Sequence, residues 1–415
     1  MTRNFAYKFR IYPTQEQQVL INKTFGCVRY TYNQLLANAK KEYAETKKSH
    51  VGNYKSIQNE STLWIKEVDS LALSNAYMNL KSAYNACFQK YKKGKKLNLP
   101  VFHSKKGKQT FTTNNVGEKG NSIRIENGKL RLPKLGLIKC VFSRYVDGKI
   151  KSATVSKTKT GKYFVSILVE LKQPRITESE VHNNVLGIDM AFGDKFGVFS
   201  DGRITNFPNY YKKSLSRIAF LNRKLAKKKN GSKNREKARL KLAKVHEKST
   251  NQLNDWIENL TIDIARNYDI VVVEDINLQS MSKMGFGKSV LNNGFGKFRT
   301  RLECKMKENL KEFVKANKWF PSSQICNNCG FRNPITKDLS VREYVCPHCG
   351  KHISRDINAS ENLAKYCTTA TVGSACGGKC QTCKLDFCLI CEQFPVKQEK
   401  LLHKKQQSQS FLVME

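Results

Sequence analysis

The spacing of apolar residues predicts that the chain begins with a β-strand and continues with two helices. Residues 4–12 (N-F-A-Y-K-F-R-I-Y) alternate between apolar and polar side chains, and Pro13 ends the alternation. Thr14 is a suitable N-terminal cap for the helix that follows. Both helices repeat apolar residues at spacings of three to five. These are Leu20, Phe25, Val28, Tyr32, Leu36 and Ala39 in the first helix, and Leu73, Tyr77, Leu80, Tyr84, Cys87 and Tyr91 in the second.

Between residues 102 and 172 the pattern changes to short strands. Asn127-Gly128 is a strong hairpin signal, and Thr160-Gly161 indicates a second hairpin. The simplest arrangement is a small β-barrel in which the first strand joins this later group, with the helices inserted between them. Residues 173–184 are polar with one proline, which is typical of a linker between domains.

The second half begins with two predicted strands, at residues 185–190 and 196–199, that suit the start of a ribonuclease-H-like sheet. A helix is predicted around residues 256–265. Residues 269–275 have the continuous apolar character of a buried strand. An apolar stripe then predicts one further helix. The stripe comprises Phe295, Phe298, Leu302, Met306, Leu310 and Phe313.

Charge limits the classes of partner. The chain has 74 Lys and Arg residues against 34 Asp and Glu, a formal net charge of +40. Such a chain repels itself, and a polyanionic partner is the simplest explanation, with nucleic acid favoured over an anionic membrane surface. No apolar run reaches the ~18–20 residues of a membrane span, and residues 1–10 lack the apolar core of a signal peptide. We therefore expect a cytoplasmic protein whose fourteen cysteines stay reduced or bind zinc.

Much of this charge lies in residues 212–248, where the pattern predicts a helical hairpin with Asn230-Gly231 at its turn. A run of charge is usually only a solvated face. Here leucines anchor the hairpin and basic residues cover the rest, which favours contact with phosphates. The candidate nucleic-acid-binding residues are Lys227, Lys228, Lys229, Arg235 and Arg239.

Four cysteines have the spacing of a zinc site. Cys326 and Cys329 form one C-x-x-C hook and Cys346 and Cys349 form another, with sixteen residues between them. Two such hooks match a tetrahedral four-cysteine zinc ribbon, and the glycine after each hook lets the chain turn tightly around the thiolates. The alternative is two buried or redox-active cysteine pairs in a reducing cytosol. The spacing favours one structural Zn²⁺ ion.

The segment 367–415 contains a second set of closely spaced cysteines. Cys380 and Cys383 form one C-x-x-C pair and Cys388 and Cys391 form another, with four residues between them. This spacing is short for a zinc ribbon. A second metal site is the alternative, but the composition favours a mobile cysteine-rich tail.

Three acidic residues are candidates for a catalytic metal site. Asp189 closes one predicted strand, Glu274 closes another, and Asp356 lies at the start of the last helix. Parallel strands present their carboxyl ends at one edge of a sheet, so acids that are distant in sequence can meet there. Clustered carboxylates repel one another unless a hard cation neutralises them, and two Mg²⁺ ions ~3.5–4 Å apart would support phosphodiester hydrolysis. Alone, Asp356 would be interpreted as a helix cap, and Asp275 and Asp194 are expected to be solvated.

Several segments carry a more specific signal. They include K-F-R-I-Y-P-T, G-I-D-M-A-F, V-V-V-E-D-I-N, W-F-P-S-S-Q-I-C-N-N-C-G and S-R-D-I-N-A-S-E-N. Together they resemble the TnpB family, transposon-encoded relatives of the type V CRISPR nucleases, up to about residue 376. The resemblance implies an α/β multidomain protein with a wedge β-barrel, an inserted helical recognition domain, and a ribonuclease-H-like (RuvC-type) nuclease domain that contains a zinc-ribbon insert.

The resemblance also implies domain boundaries and site residues. The boundaries are 1–13 and 96–172 for the wedge barrel, 14–95 for the helical domain, 185–318 and 353–366 for the nuclease domain, and 319–352 for the zinc-ribbon insert. By the same resemblance, Asp189, Glu274 and Asp356 are catalytic and hold Mg²⁺, while the four cysteines hold zinc. Thr112, Thr113 and Asn114 fall near residues that contact the target-adjacent DNA motif in this family.

The activity that the resemblance implies is RNA-guided, Mg²⁺-dependent cleavage of DNA. The expected partners are a guide RNA from the transposon end and double-stranded target DNA, with no membrane and with the protein a monomer in its RNA complex. One alternative is a transposase that performs strand transfer itself, but the chain has no catalytic tyrosine in a His-hydrophobe-His setting. Another is a non-cleaving RNA-guided regulator, which the presence of all three acids disfavours.

Overall fold

The structure is a computed structural model that describes residues 2–46, 51–94, 96–116, 122–172, 184–191, 194–276, 294–338 and 340–371. The chain divides into two compact units. Unit 1 contains residues 1–177 and 217–247, and unit 2 contains residues 178–216 and 248–415. The domain boundaries expected from the sequence are finer than this division and stay predictions.

Unit 1 is built on an antiparallel seven-stranded sheet with the order β2-β6-β7-β1-β5-β4-β3. Its strands are β1 (Thr2–Tyr12), β2 (Gln109–Asn114), β3 (Arg124–Glu126), β4 (Lys129–Leu132), β5 (Gly136–Val141), β6 (Lys149–Lys157) and β7 (Tyr163–Lys172). The first strand pairs with both β7 and β5, which confirms that it shares a sheet with strands far along the chain. Whether the sheet closes into a barrel stays a prediction.

Two turns in this sheet lie where the sequence predicts them. Asn127 and Gly128 both have positive φ, 48° and 70°, and connect β3 to β4. This is the conformation that a two-residue hairpin requires and that Asn-Gly adopts readily. Gly161, with φ 84°, lies in the turn that joins β6 to β7. Both predicted hairpins are therefore confirmed.

Two long helices of unit 1 pack with the sheet. They are α1 (Gln15–Thr46) and α2 (Ser70–Lys92). Thr14 caps α1 as predicted, because its hydroxyl accepts from the Gln17 amide at 3.3 Å while the Gln17 side chain accepts from the Thr14 amide at 3.0 Å. Asp69 caps α2 by accepting from the Leu71 amide at 3.2 Å. The helices bury their apolar faces against each other and against the sheet.

Unit 2 is built on a mixed five-stranded sheet with the order β10-β9-β8-β11-β12. The strands are β8 (Val185–Met190), β9 (Lys195–Phe199), β10 (Ile204–Asn206), β11 (Ile270–Glu274) and β12 (Glu312–Ala316). The first three form an antiparallel meander, while β11 runs parallel to both β8 and β12. The strand that carries Asp189 therefore lies at the centre of the sheet, beside the strand that carries Glu274.

The described residues form four further α-helices. They are α3 (Tyr210–Ala226), α4 (Lys233–Asn267), α5 (Phe295–Glu308) and α6 (Arg355–Thr371). The basic hairpin predicted at residues 212–248 is formed by α3 and the start of α4, with Gly231 in its turn at φ 78°. Its residues 217–247 belong to unit 1. The helix predicted around residues 256–265 is not separate, because no glycine or proline interrupts α4 over its 35 residues.

The helix predicted from the apolar stripe is shorter than the stripe, and the prediction is wrong for Leu310 and Phe313. The helix α5 ends at Glu308, and Leu310 has a left-handed backbone with φ 58°. The Lys311 amide then donates to Met306 O at 2.8 Å, which closes the helix end. Phe313 instead lies in β12, opposite Val271 of β11. Pairing with a distant parallel strand, which local periodicity does not register, overrides the helical spacing here.

Part of the chain lies outside these elements. The linker predicted at residues 173–184 and the cysteine-rich segment 367–415 fall mostly outside the described residues. Within the described ranges, no helix combines the length and the apolar character needed to span a bilayer.

Candidate active site and metal centre

Two of the candidate acids lie level with each other on adjacent strands. Ile188 of β8 is in register with Val273 of β11, and both of these residues are buried. Asp189 and Glu274 are the next residues of the two strands, and since the strands are parallel they leave the core at the same edge of the sheet. Both acids are partly buried. The sheet therefore holds two carboxylates side by side.

The third acid is delivered by a helix that packs directly on β8. Asp356 lies in the first turn of α6, with its side chain 18% exposed. The helix approaches so closely that a Cβ atom on Gly187 would lie 2.0 Å from Ser360 O and 2.5 Å from the Ala364 amide. A glycine at position 187 is what allows this approach. It therefore sets the distance between the helix of Asp356 and the strand of Asp189.

Electrostatics show that the three acids interact. Burial, together with the charges of Glu274 and Asp356, raises the pKa of Asp189 to about 8, although Arg355 and the Met190 amide oppose the shift. Burial also raises the pKa of Glu274, which lies beside the apolar side chains of Met190 and Phe298. Carboxylates that destabilise one another in this way are the donor set that a hard divalent cation would neutralise.

Arg355 is a member of this site that sequence analysis missed. It precedes Asp356 and is 7% exposed. Its guanidinium lies 3.8 Å from the Asp356 carboxylate and donates to Asp338 O at 2.8 Å. It places one positive charge among three acids, which offsets part of their repulsion. Nothing in the sequence distinguishes it from the other arginines, because its role depends on its burial.

Two other acids near the site have the solvated character expected from the sequence. Asp275 follows the last residue of β11, is half exposed, and pairs with Arg299 at 3.0 Å. Asp194 is exposed at the start of β9. Neither of them contributes to the raised pKa of Asp189.

The four predicted zinc ligands converge. Their sulfur atoms all lie within 4.8 Å of one another, with Cys326 and Cys349 Sγ 3.7 Å apart and Cys329 and Cys346 Sγ 3.5 Å apart. Tetrahedral coordination with Zn–S bonds of ~2.3 Å requires sulfur separations of ~3.8 Å. These residues therefore fit Zn²⁺. In the part of the chain that the structure describes, no other cluster of three or more ligand side chains is this compact.

The two hooks have matching backbone geometry. The Gly330 amide donates to Cys326 O at 2.9 Å, and the Gly350 amide donates to Cys346 O at 3.0 Å. The amide of Lys351 and the side chain of Asn328 donate to the Cys349 sulfur and lower the pKa of that thiol to about 6. Donors aimed at the sulfurs stabilise thiolates, which are the form that binds zinc.

A short hairpin and one buried side chain support the metal centre. The hairpin pairs β13 (Glu343–Val345) with β14 (His352–Ser354). Tyr344 is fully buried, packs with Cys326 and Cys346, and donates to Phe331 O at 3.1 Å. This core is too small to fold without further stabilisation, which is the usual reason for a structural zinc.

The candidate nucleic-acid-binding residues of the basic hairpin, all in unit 1, differ in how accessible their side chains are to a phosphate. Lys227, Lys228, Lys229 and Arg239 are exposed, whereas the Arg235 guanidinium donates to Leu225 O at 3.0 Å and to Lys228 O at 2.8 Å. Arg235 thus ties the two helices of the hairpin together.

The three residues proposed near the target-adjacent motif lie on β2. Thr113 is 1% exposed and its hydroxyl donates to Asp69, while Asn114 is exposed and Thr112 is partly buried. Of the three, Asn114 has the most accessible side chain.

Models of known families match three parts of the chain. One described as a probable transposase matches residues 166–285, and one described as the Cas12f1-like TNB domain matches residues 295–363, which include all four zinc-site cysteines. One described as a helix-turn-helix domain matches residues 1–48. In this structure that region is a strand followed by the single helix α1.

Curated proteins match along almost the whole chain. A putative RNA-guided DNA endonuclease of Streptomyces pristinaespiralis is 30% identical over 383 residues, which cover 90% of each chain. The putative RNA-guided DNA endonuclease InsQ of Escherichia coli (strain K12) is 27% identical over 391 residues, 88% of this chain and 92% of InsQ. TnpB-like protein L770 of Acanthamoeba polyphaga mimivirus is 23% identical over 400 residues, 86% of this chain and 72% of that protein.

A solved structure shares the fold. The protein of a cryo-EM structure of the Cas12f1-sgRNA-target DNA complex superposes with a TM-score of 0.52 at 14% identity, covering 88% of this chain and 99% of that one. The fold and the four-cysteine cluster define a mixed α/β protein with a domain of the Cas12f1-like TNB kind. By its sequence relatives, the chain belongs to the TnpB family.

Proposed function

We propose that this protein is an RNA-guided DNA endonuclease encoded by an IS605-type insertion sequence. The relatives from Streptomyces pristinaespiralis and Escherichia coli are described as putative RNA-guided DNA endonucleases. The observation that carries the proposal is the set of three interacting acids at one edge of the unit 2 sheet, in a chain with a net charge of +40. We propose that unit 2 contains a RuvC-type nuclease domain and that the unit 1 sheet is the wedge.

The proposed chemistry is hydrolysis of a DNA phosphodiester. Asp189, Glu274 and Asp356 would hold Mg²⁺, since hard cations prefer carboxylate oxygens. The chemistry that two Mg²⁺ ions supply at such a site is activation of water and stabilisation of the leaving oxygen. The chain's part is to keep three like charges close together in a partly buried site. Arg355 reduces the cost of that arrangement.

The proposed zinc ion has a structural role. All four ligand positions are filled by cysteines, so no position remains open for a substrate or water. Cys326, Cys329, Cys346 and Cys349 would thus fold the insert rather than react. We propose Mg²⁺ and Zn²⁺ as the two metals of the protein.

The proposed partners follow from charge and family. Exposed lysines such as Lys227, Lys228 and Lys229 contact phosphates without reading sequence. Specificity would come from base pairing between a guide RNA and the target strand, with a short adjacent DNA motif read by the protein. We propose that the protein acts in the cytoplasm as a monomer bound to its RNA.

A non-cleaving RNA-guided regulator would need the same partners, but the presence of all three acids disfavours it. A protein that only bound DNA would gain stability by losing a carboxylate with a pKa of about 8. Keeping all three acids is therefore costly unless they act in cleavage.

The experiment that tests the proposal uses single substitutions of the acids. Asp189→Ala, Glu274→Ala and Asp356→Ala should each abolish cleavage of a guide-matched plasmid while leaving RNA and DNA binding intact, because each removes a cation ligand from the reacting phosphate. Asp275→Ala is the matched control and should cleave at close to the wild-type rate. Cleavage by all three of the Asp189, Glu274 and Asp356 variants would contradict the assignment. An inactive Asp275→Ala would indicate that the acid at the end of β11 has been assigned wrongly.

A further inference from the structure

The helix that carries Asp356 also contacts the zinc insert. Its backbone packs against Gly187 of β8, and its polar side chains reach the first cysteine hook. The helix α6 is thus held by the catalytic sheet and by the metal insert within unit 2. Most contacts to the insert are hydrogen bonds between side chains of α6 and the backbone of the insert, and two buried asparagines make four of them.

Asn358 bonds to the backbone on both sides of the first zinc ligand. Its amide nitrogen donates to Ile325 O at 2.7 Å, and its side-chain oxygen accepts from the Asn327 amide at 2.9 Å. The side chain is fully buried. It therefore brackets Cys326 and satisfies one carbonyl and one amide that the turn leaves unpaired.

Asn362 adds a second pair of bonds one helical turn later. Its amide donates to Ser322 O at 2.8 Å and to Ile325 O at 2.7 Å, and it is 5% exposed. Glu361 accepts a hydrogen bond from the side chain of Asn327, and Lys365 donates one to the backbone carbonyl of Asn327. One side of α6 is thus fitted to the hook that carries Cys326.

The insert also holds the start of the helix through the chain itself. The strand β14 ends at Ser354 and α6 begins at Arg355 with no linker between them. The Arg355 amide donates to Arg342 O at 2.9 Å. Asp356 is the seventh residue after Cys349, so only a short stretch of chain connects the second hook to the acid.

We propose that Asn358 and Asn362 are positioning residues that couple the zinc-loaded hook to α6 and so fix Asp356 opposite Asp189. A buried asparagine is costly unless its polar atoms are paired, and these pairs exist only while the hook keeps its metal-bound shape. An apolar contact would hold the helix without fixing its rotation, whereas four directed bonds specify it. The inference rests on the proposed nuclease function for its catalytic consequence.

Hydrogen exchange tests the coupling without any cleavage. We expect amides 355–366 to lose protection in chelator-stripped protein and in Cys326→Ser, while the α2 amides of unit 1 keep theirs. The expected pattern includes the loss of one zinc per chain in Cys326→Ser. Unchanged protection of α6 after zinc loss would overturn the inference.

Cleavage then tests the consequence for Asp356. Asn358→Ala and Asn362→Ala should cut ~10–100-fold more slowly at limiting Mg²⁺ and need more Mg²⁺ for half-maximal rate, as expected when a ligand loses its outer support. Added Mg²⁺ should restore part of the rate. The assay is run well below the unfolding temperature of each variant. Under that condition, a residue that only stabilises the fold would leave the Mg²⁺ concentration for half-maximal rate unchanged.

A matched control exists in unit 1. Asn33 makes the same bidentate contact to backbone, donating to His103 O at 3.0 Å and accepting from the His103 amide at 2.8 Å. Asn33→Ala should leave the Mg²⁺ dependence unchanged. A wild-type dependence in both Asn358→Ala and Asn362→Ala would overturn the inference. Failure of the wild-type protein to cleave with any guide would instead contradict the proposed function and leave the hydrogen-exchange result standing.

Discussion

Replacing Gly187 by alanine tests how the proposed active site is assembled. The added Cβ would lie 2.0 Å from Ser360 O, whereas ordinary van der Waals contact begins at 3.4 Å, so α6 must move away from β8 by about 1.4 Å. Both neighbouring groups are backbone and cannot rotate away. The cost should therefore be at the upper end of the ~1–3 kcal/mol typical of overpacking. At about 2–4 °C per kcal/mol for a domain of this size, the Tm should fall by ~6–12 °C.

The catalytic effect should exceed the loss of stability. Asp356 moves with α6, and a displacement of ~1 Å in a catalytic group costs on the order of 100-fold in rate. The assay is single-turnover cleavage of a guide-matched plasmid at saturating Mg²⁺, at a temperature where circular dichroism shows the variant folded. Binding of RNA should be unchanged, since unit 1 is untouched.

Gly26 provides the matched control for this substitution. It lies in α1, and a Cβ there would meet no atom within 4 Å. Gly26→Ala should leave cleavage unchanged and stabilise the protein by about 0.5–1 kcal/mol, because it removes glycine from a helix interior. If Gly187→Ala cleaved within ~3-fold of wild type with an unchanged Tm, the close packing of α6 on β8 would not control Asp356.

Three further predictions concern charge and metal. Since the pKa of Asp189 is raised to about 8 in the cation-free protein, its contribution to stability is fully present below about pH 4 and is lost as the pH rises through about 8. Asp189→Asn should therefore unfold at a higher temperature than wild type in Mg²⁺-free buffer at pH 8.5 (~0.5 units above that pKa), with no advantage at about pH 4. An equal advantage at both pH values would contradict the raised pKa. Alanine at positions 227–229 should reduce the slope of log affinity for guide RNA against log salt by ~2–3, measured by filter binding, and an unchanged slope would exclude these lysines as phosphate contacts. Tyr344→Phe should keep one zinc but speed its loss to a chelator, because Phe331 O and Gln324 O lose their donor; an unchanged release rate would refute this role.

The elements with strong local signals could be predicted from the sequence. The hairpin at Asn127-Gly128 and the cap at Thr14 depend on residues within a few positions, and both lie where expected. The strand β12 was missed because Phe313 continues the spacing of Met306 and the apolar residues before it. Only its pairing with Val271, far along the chain, makes it a strand.

The residues of the candidate site also fall into those that local sequence signals predict and those that only tertiary packing reveals. Asp189 and Glu274 could be placed together because parallel strands end at one edge, and the cysteines because two hooks have a known spacing. Gly187 and Arg355 could not be identified, because their importance comes from how α6 packs on β8 and on the insert. The reverse case is Arg235, whose charge suggested phosphate contact while its guanidinium holds two backbone carbonyls.

The central claim is that base pairing to a bound RNA directs the cut. The measurement is cleavage of a plasmid library with a randomised sequence beside the target, by protein and Mg²⁺ with RNA from the native locus or with a guide whose targeting segment has been replaced. We predict that the cut moves to the sequence matching the new guide, next to one short motif, and that Asp356→Ala gives no cut with either RNA. Equal cutting of all plasmids without any RNA, or cutting that ignores the guide sequence, would contradict it.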